Sequence, residues 1–192
     1  MIQTLILIFH PDLARSTANS ALQAAARTVA GTRVVDVQAR YPGGVIDMRA
    51  DGEAEARALL DAGRIVLQFP IQWYSTPALL KAWQDAVLTR MYYVHAETEG
   101  DRLAGTPLMV AATAGNTPTA YGRRGANHFT MDELLAPLKA TAHRCGLPWH
   151  PPHLVFRADR LDPADLAAAQ ESYVHALEAF IAATPTRNRK AA

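Results

Sequence analysis

Apolar side chains along this chain come in short unbroken runs, and between the runs they recur every three or four residues. Residues 2–9 (IQTLILIF), 64–69 (RIVLQF) and 107–113 (PLMVAAT) are runs of the kind buried on both faces of a parallel sheet. Residues 32–37 (TRVVDV) and 153–158 (HLVFRA) carry a shorter form of the same signal. Helical spacing fills the gaps. Asn19 is read as the cap of an alanine-rich helix reaching residue 30, and residues 52–63 as an amphipathic helix stopped by Gly63. Thr76-Pro77 supplies a hydroxyl cap and a first-turn proline to a helix whose Leu79, Leu80, Trp83, Val87 and Leu88 share one face. Thr130-x-x-Glu133 is a capping box for a helix running to about Cys145, with Gly146 as its stop. Asp162-Pro163 opens a last helix reaching about Ala183. Five strands alternating with five helices predict one α/β domain over residues 1–184. It is an open, doubly wound, five-stranded parallel sheet with helices on both faces. Residues 185–192 are polar and expected to be a loose tail.

Composition narrows the class. With 192 residues, 49% of them hydrophobic and 19% charged, the chain suits one folded domain with a real core. A formal net charge of +1 gives no basic surface for nucleic acid. The single cysteine, Cys145, excludes an internal disulfide framework and fits a reducing compartment. It stands at the end of an amphipathic helix with no activating partner in view, and is read as a buried structural thiol. No apolar run approaches the roughly 20 residues of a membrane helix, and the N-terminus has no basic leader. A cytoplasmic protein is expected. His143, His150 and His153 lie close together, but the rigid WHPPH stretch argues against a metal site.

In an open α/β sheet, ligands bind beyond the carboxyl ends of the strands, at the switch in strand order. Three loops then matter. In HPDLARSTAN (residues 10–19), Ser16, Thr17 and Asn19 stand at a helix N-terminus, where free N–H groups and the dipole favour a phosphate. His10 and Arg15 add donors. The same residues also serve as an ordinary helix cap. The loop has neither a dinucleotide fingerprint nor a P-loop. In PIQWYST (residues 70–76), Trp73 and Tyr74 offer flat walls for a planar heteroaromatic ring. Taken alone, that stretch favours the other reading, in which both rings plug the top of the core. In TAGNTPTAYG (residues 113–122), small residues let a ligand approach the backbone, and Tyr121 brings a hydroxyl. A phosphate at the first loop and a ring between the other two describe flavin mononucleotide.

At this point the sequence resembles the flavodoxin-like NAD(P)H:quinone oxidoreductases. Within them it is most similar to the bacterial branch containing the ancillary subunits of glutathione-gated potassium efflux systems (the KefF and KefG type). The stretches that carry the resemblance are HPDLARSTAN, FPIQWYSTPALLKAWQDAVLTR, TAGN, MDELLAPLKATAHRCG and GLPWHPPHLVF. The resemblance implies a flavodoxin-like sheet of order 2-1-3-4-5. It implies a non-covalent FMN, with FAD as the alternative, and NADPH or NADH as reductant. It implies a homodimer with sites at the subunit interface, and ping-pong two-electron reduction of quinones or related acceptors. By position, His10, Ser16, Ala18 and Asn19 would hold the flavin phosphate and ribityl chain. Pro70, Ile71, Gln72, Trp73 and Tyr74 would border the ring, with backbone N–H groups of residues 71–73 stabilising negative charge on it. Thr113, Ala114, Gly115 and Asn116 would line its other edge. Tyr121 matches the tyrosine over the substrate side, and His128 is the nearest candidate for its histidine partner. The family's TTGG loop is TAGN here.

Three functions compete: a quinone reductase, a flavin-binding regulatory subunit of a potassium efflux transporter placed peripherally at the inner membrane, and a one-electron carrier. Near-neutral charge and the long third loop disfavour the carrier.

Overall fold

The computed structural model describes residues 4–184. The expected tail at residues 185–192, and the first two residues of the first predicted strand, lie outside them. Five strands form one parallel sheet in the order β2-β1-β3-β4-β5. They are β1 (Thr4–Ile8), β2 (Thr32–Asp36), β3 (Arg64–Pro70), β4 (Leu108–Thr113) and β5 (His153–Val155). The described residues carry eight α-helical segments rather than five: α1 (Thr17–Thr28), α2 (Val37–Arg40), α3 (Gly52–Asp61), α4 (Ala78–Trp83), α5 (Asp101–Leu103), α6 (Met131–Leu134), α7 (Ala136–Arg144) and α8 (Pro163–Ala183).

The strand period of two sorts the core. Leu5, Leu7, Ile65, Leu67 and Val110 pack with Leu59, Leu80, Trp83 and Leu138, from α3, α4 and α7. Ile6, Ile8, Val66 and Met109 pack with Leu22 of α1 and with Tyr173, Leu177 and Phe180 of α8. Cys145 is buried and free, and burial pushes its thiol pKa up, as befits a structural residue.

Several boundaries differ from the pattern's prediction. α1 starts two residues before Asn19, because extended Ser16 is the cap, its Oγ accepting from Asn19 N–H at 3.1 Å. At α4, Pro77 and not Thr76 occupies the cap position, with no side-chain cap bond. That helix runs on past Leu88 in wide π-type turns, Gln84–Leu88, Arg90–Val94 and Ala96–Gly100. The capping box at Thr130 and Glu133 is present, but its helix breaks at Leu135. Pro137, lacking an N–H, falls in the first turn of the second piece. β5 stops at Val155, because the chain turns at Arg157 with φ 55°. Arg157 and Ala158 then donate backbone hydrogen bonds to Asn116 and Ala114, drawing this loop onto the one after β4. No helix among the described residues is long and apolar enough to cross a membrane.

Candidate active site

A cleft of about 500 Å³ opens past the carboxyl ends of β1, β3 and β4. That volume falls in the range of small-molecule sites, roughly 300–1,000 Å³. His10, Asp12, Arg15, Ser16, Thr17 and Ala18 form its first wall, with the Asp12 carboxylate turned to cap the Arg15 N–H. The chain leaves β1, makes one 3₁₀ turn over Leu13–Arg15, and enters α1 at Ser16. Ser16 uses its hydroxyl on Asn19 N–H, which leaves the Thr17 and Ala18 N–H groups without intrahelical acceptors. They stand at the positive end of a 12-residue helix, which favours an anion. Asp12 N–H donates to His10 Nδ1 at 3.0 Å, so the neutral imidazole carries its proton on Nε2, a further donor. Burial lowers the His10 pKa against the opposing pull of Asp12, favouring that neutral form. Asn19 lines the cleft too, but its amide nitrogen is committed: Nδ2 donates to Thr113 Oγ1 at 2.9 Å, tying the first loop to the third.

The second loop is a tight hairpin turn. Gln72 and Ser75 exchange backbone hydrogen bonds of 2.9 and 3.0 Å, with Trp73 at φ 48° and Tyr74 at φ 65° between them. Two consecutive left-handed residues favour Asn-Gly; two aromatics cost roughly 1 kcal/mol or more each. Trp73 is 94% exposed and Tyr74 is 49% exposed. The reading that they plug the core is therefore wrong: the turn lifts both rings off the sheet. Pro70 and Ile71 line the cleft, whereas Gln72, Trp73 and Tyr74 stand beyond its rim. The expected row of three free N–H groups is also reduced. Ile71 N–H donates to Thr113 O at 2.7 Å and Gln72 N–H to Ser75 O, leaving that of Trp73.

Of the third loop, Thr113 and Gly115 line the cleft. Ala114 is buried, its N–H bonded to Val155 O. The Asn116 side chain accepts from Thr117 N–H at 2.8 Å within its own turn, so it does not edge the cleft as expected. Tyr121 is half-buried against Phe156, ring centroids 5.7 Å apart. Burial pushes its hydroxyl pKa up, the facing Asn116 N–H pulls it down, and Tyr74 is near enough to add to the rise. Tyr74 in turn reaches Asn127 Oδ1 at 3.4 Å. His128 lies exposed in a left-handed turn (φ 59°), with its N–H on Gly125 O.

Ala158 and Asp159 complete the cleft, and sequence reasoning missed them. The rule that nominated three strand ends applies equally to β5, and would have found them. Among the described residues no three His, Cys, Asp or Glu side chains converge as a metal site. His150 packs on Phe180 and His153 stacks on Tyr173, at 4.9 and 5.1 Å.

Comparison with known proteins agrees with this architecture. The family model for the flavodoxin-like fold matches residues 2–179. The potassium-efflux ancillary protein KefG of Pectobacterium atrosepticum is 37% identical over 169 residues, which is 88% of this chain and 89% of that one. The crystal structure of general stress protein 14 from Treponema denticola, in complex with FMN, superposes with TM-score 0.80 at 28% identity, covering 95% of this chain and 99% of that one. An NADPH-quinone reductase from P. pentosaceus superposes with TM-score 0.76 at 29% identity, over 91% and 96%. The chain belongs to the flavodoxin-like fold family.

Proposed function

We propose that this protein is a flavin-dependent NAD(P)H:quinone oxidoreductase that moves two electrons as hydride from nicotinamide to a quinone or related acceptor. The observation that carries the reading is one cleft joining an open helix N-terminus to a wall of sheet-top loops. The FMN-bound and NADPH-quinone reductase relatives support FMN and NADPH over FAD and NADH. The residues fit a monophosphate. Thr17 and Ala18 N–H, Arg15 and His10 Nε2–H supply donors at one end. FMN, when bound, supplies a ring that takes up hydride and gives it up again.

The chain's own groups position and tune. Pro70, Ile71 and Gly115 shape the cleft above the sheet. Trp73 N–H is the donor left for negative charge at the ring's edge. Tyr121, a phenol that is protonated at neutral pH, donates to the acceptor oxygen as charge builds there. A homodimer is proposed, since Trp73, Tyr74 and Phe129 are large apolar side chains left exposed. A cytoplasmic location follows from the same reading. The likeness to KefG favours a second role, docking on a potassium efflux transporter.

The test is the visible spectrum of protein incubated with FMN and desalted. Retained flavin that bleaches with NADPH and recovers with a quinone is expected. Retained flavin that NADPH leaves oxidised favours the regulatory role. Protein that keeps no flavin contradicts both.

A further inference from the structure

Four polar side chains from four elements form one line of hydrogen bonds beneath the cleft. The Tyr173 hydroxyl of α8 donates to Gln68 Oε1 at 3.3 Å, and Gln68 Nε2 donates to the Asn19 carbonyl at 3.0 Å. Asn19 Nδ2 donates to Thr113 Oγ1. Their exposures are 0% for Tyr173 and Gln68 and 2% for Asn19 and Thr113. Gln68 sits on the central strand between buried Val66, Leu67 and Phe69, where an apolar residue would be the default. Its carboxamide cannot flip: the Asn19 carbonyl only accepts and so selects Nε2, which leaves Oε1 to the phenol O–H. Tyr173 is held in place by His153, stacked on it with an interplanar angle of 24°. Burial raises the Tyr173 pKa, keeping it a donor.

The line ends where the cleft begins. Asn19 and Thr113 line it, and Asn19 belongs to the first turn of α1, whose open N–H groups face it. Asn19 Oδ1 has no partner among the described residues. We propose that Tyr173 and Gln68 are positioning residues for the cofactor cleft. They hold the first turn of α1 against the end of β4, and so set where the anion-binding N–H groups stand. This rests on the flavin reading, but neither residue lines the cleft.

The single variant Tyr173→Phe strands a buried Gln68 oxygen and so mixes stability with positioning. The double variant Gln68→Leu/Tyr173→Phe removes both polar groups, and its unfolding midpoint returns towards wild type. In that variant FMN is expected to bind about tenfold more weakly, the scale of one lost buried hydrogen bond, while riboflavin binding changes less than about threefold. In the free protein, the hydrogen-bonded backbone amides of residues 19–22 are expected to exchange at least about tenfold faster relative to those of β3. Wild-type FMN affinity in the double variant overturns the proposal, because the line would then only satisfy core polar groups. Unchanged exchange in the first turn of α1 overturns it whether or not flavin binds. A wild-type protein that binds no flavin counts instead against the functional reading, and the exchange comparison still decides this one.

Discussion

At the α1 end of the cleft most polar side chains are fixed by a neighbour; at the Trp73–Tyr74 end few are. Ser16 caps, Asp12 fixes the His10 tautomer, and Asn19 is held from below by Gln68 and from the side by Thr113. The other end is a strained two-residue turn and a long loop, joined by one Tyr74–Asn127 hydrogen bond of 3.4 Å at the surface. Regular elements deliver the first end; irregular backbone delivers the second. A rigid end suits a ligand that stays, and an open end suits partners that come and go.

The sharpest way to separate the two ends is Gly125→Ala. A Cβ there would lie 2.2 Å from Thr119 O and 2.5 Å from Ala120 O, so the loop carrying Tyr121 and Asn127 must rearrange. Quinone turnover should fall about 30-fold or more, the scale of a misplaced reacting group, with FMN affinity nearly unchanged. An equal loss of FMN affinity would break the division. Tyr121→Phe should lower kcat for quinone about tenfold and leave FMN binding alone. Unchanged turnover of every quinone tested would remove Tyr121 from the chemistry.

Ser16→Ala acts at the other end. Loss of the cap should cost about 1 kcal/mol in urea unfolding, and weaken FMN more than riboflavin. Replacing Trp73 and Tyr74 by Asn-Gly relieves the left-handed strain. It should stabilise the fold by up to about 2 kcal/mol while slowing turnover. A destabilised variant would mean that the aromatics are held by contacts and not by function.

The smallest effect is on pH. Burial lowers the pKa of His10, against the pull of Asp12, and that of His153. The unfolded chain therefore takes up protons first as pH falls through about 6.5, the ordinary imidazole value. The stability contributed by the neutral histidines is complete above that pH. It declines below it until the folded-state imidazoles protonate as well. Urea midpoints should drop between pH 7 and pH 5.5, and His153→Phe should shrink the drop. A midpoint that rises on acidification contradicts this sign.

The sheet was legible because Leu5, Ile6, Leu7 and their equivalents in β3 and β4 have no other way to bury both faces. The start of α1 was legible because a Ser-Thr-Ala-Asn run before an alanine-rich helix marks a capped N-terminus, whether or not it also meets a phosphate. Sequence misled where a single backbone angle decides. Nothing in QWYS announces two left-handed aromatics, so Trp73 and Tyr74 read as plugs. The capping residue was misplaced because Asn19 and Ser16 are both good caps, and only the buried contact with Thr113 decides between them.

The central claim is that the N-terminus of α1 holds the phosphate of a flavin. Parallel calorimetric titrations with FMN and riboflavin test it most directly. The account predicts FMN binding tighter by about 100-fold or more, the scale of two charge-assisted hydrogen bonds. Equal affinities, or no heat with either, would contradict it.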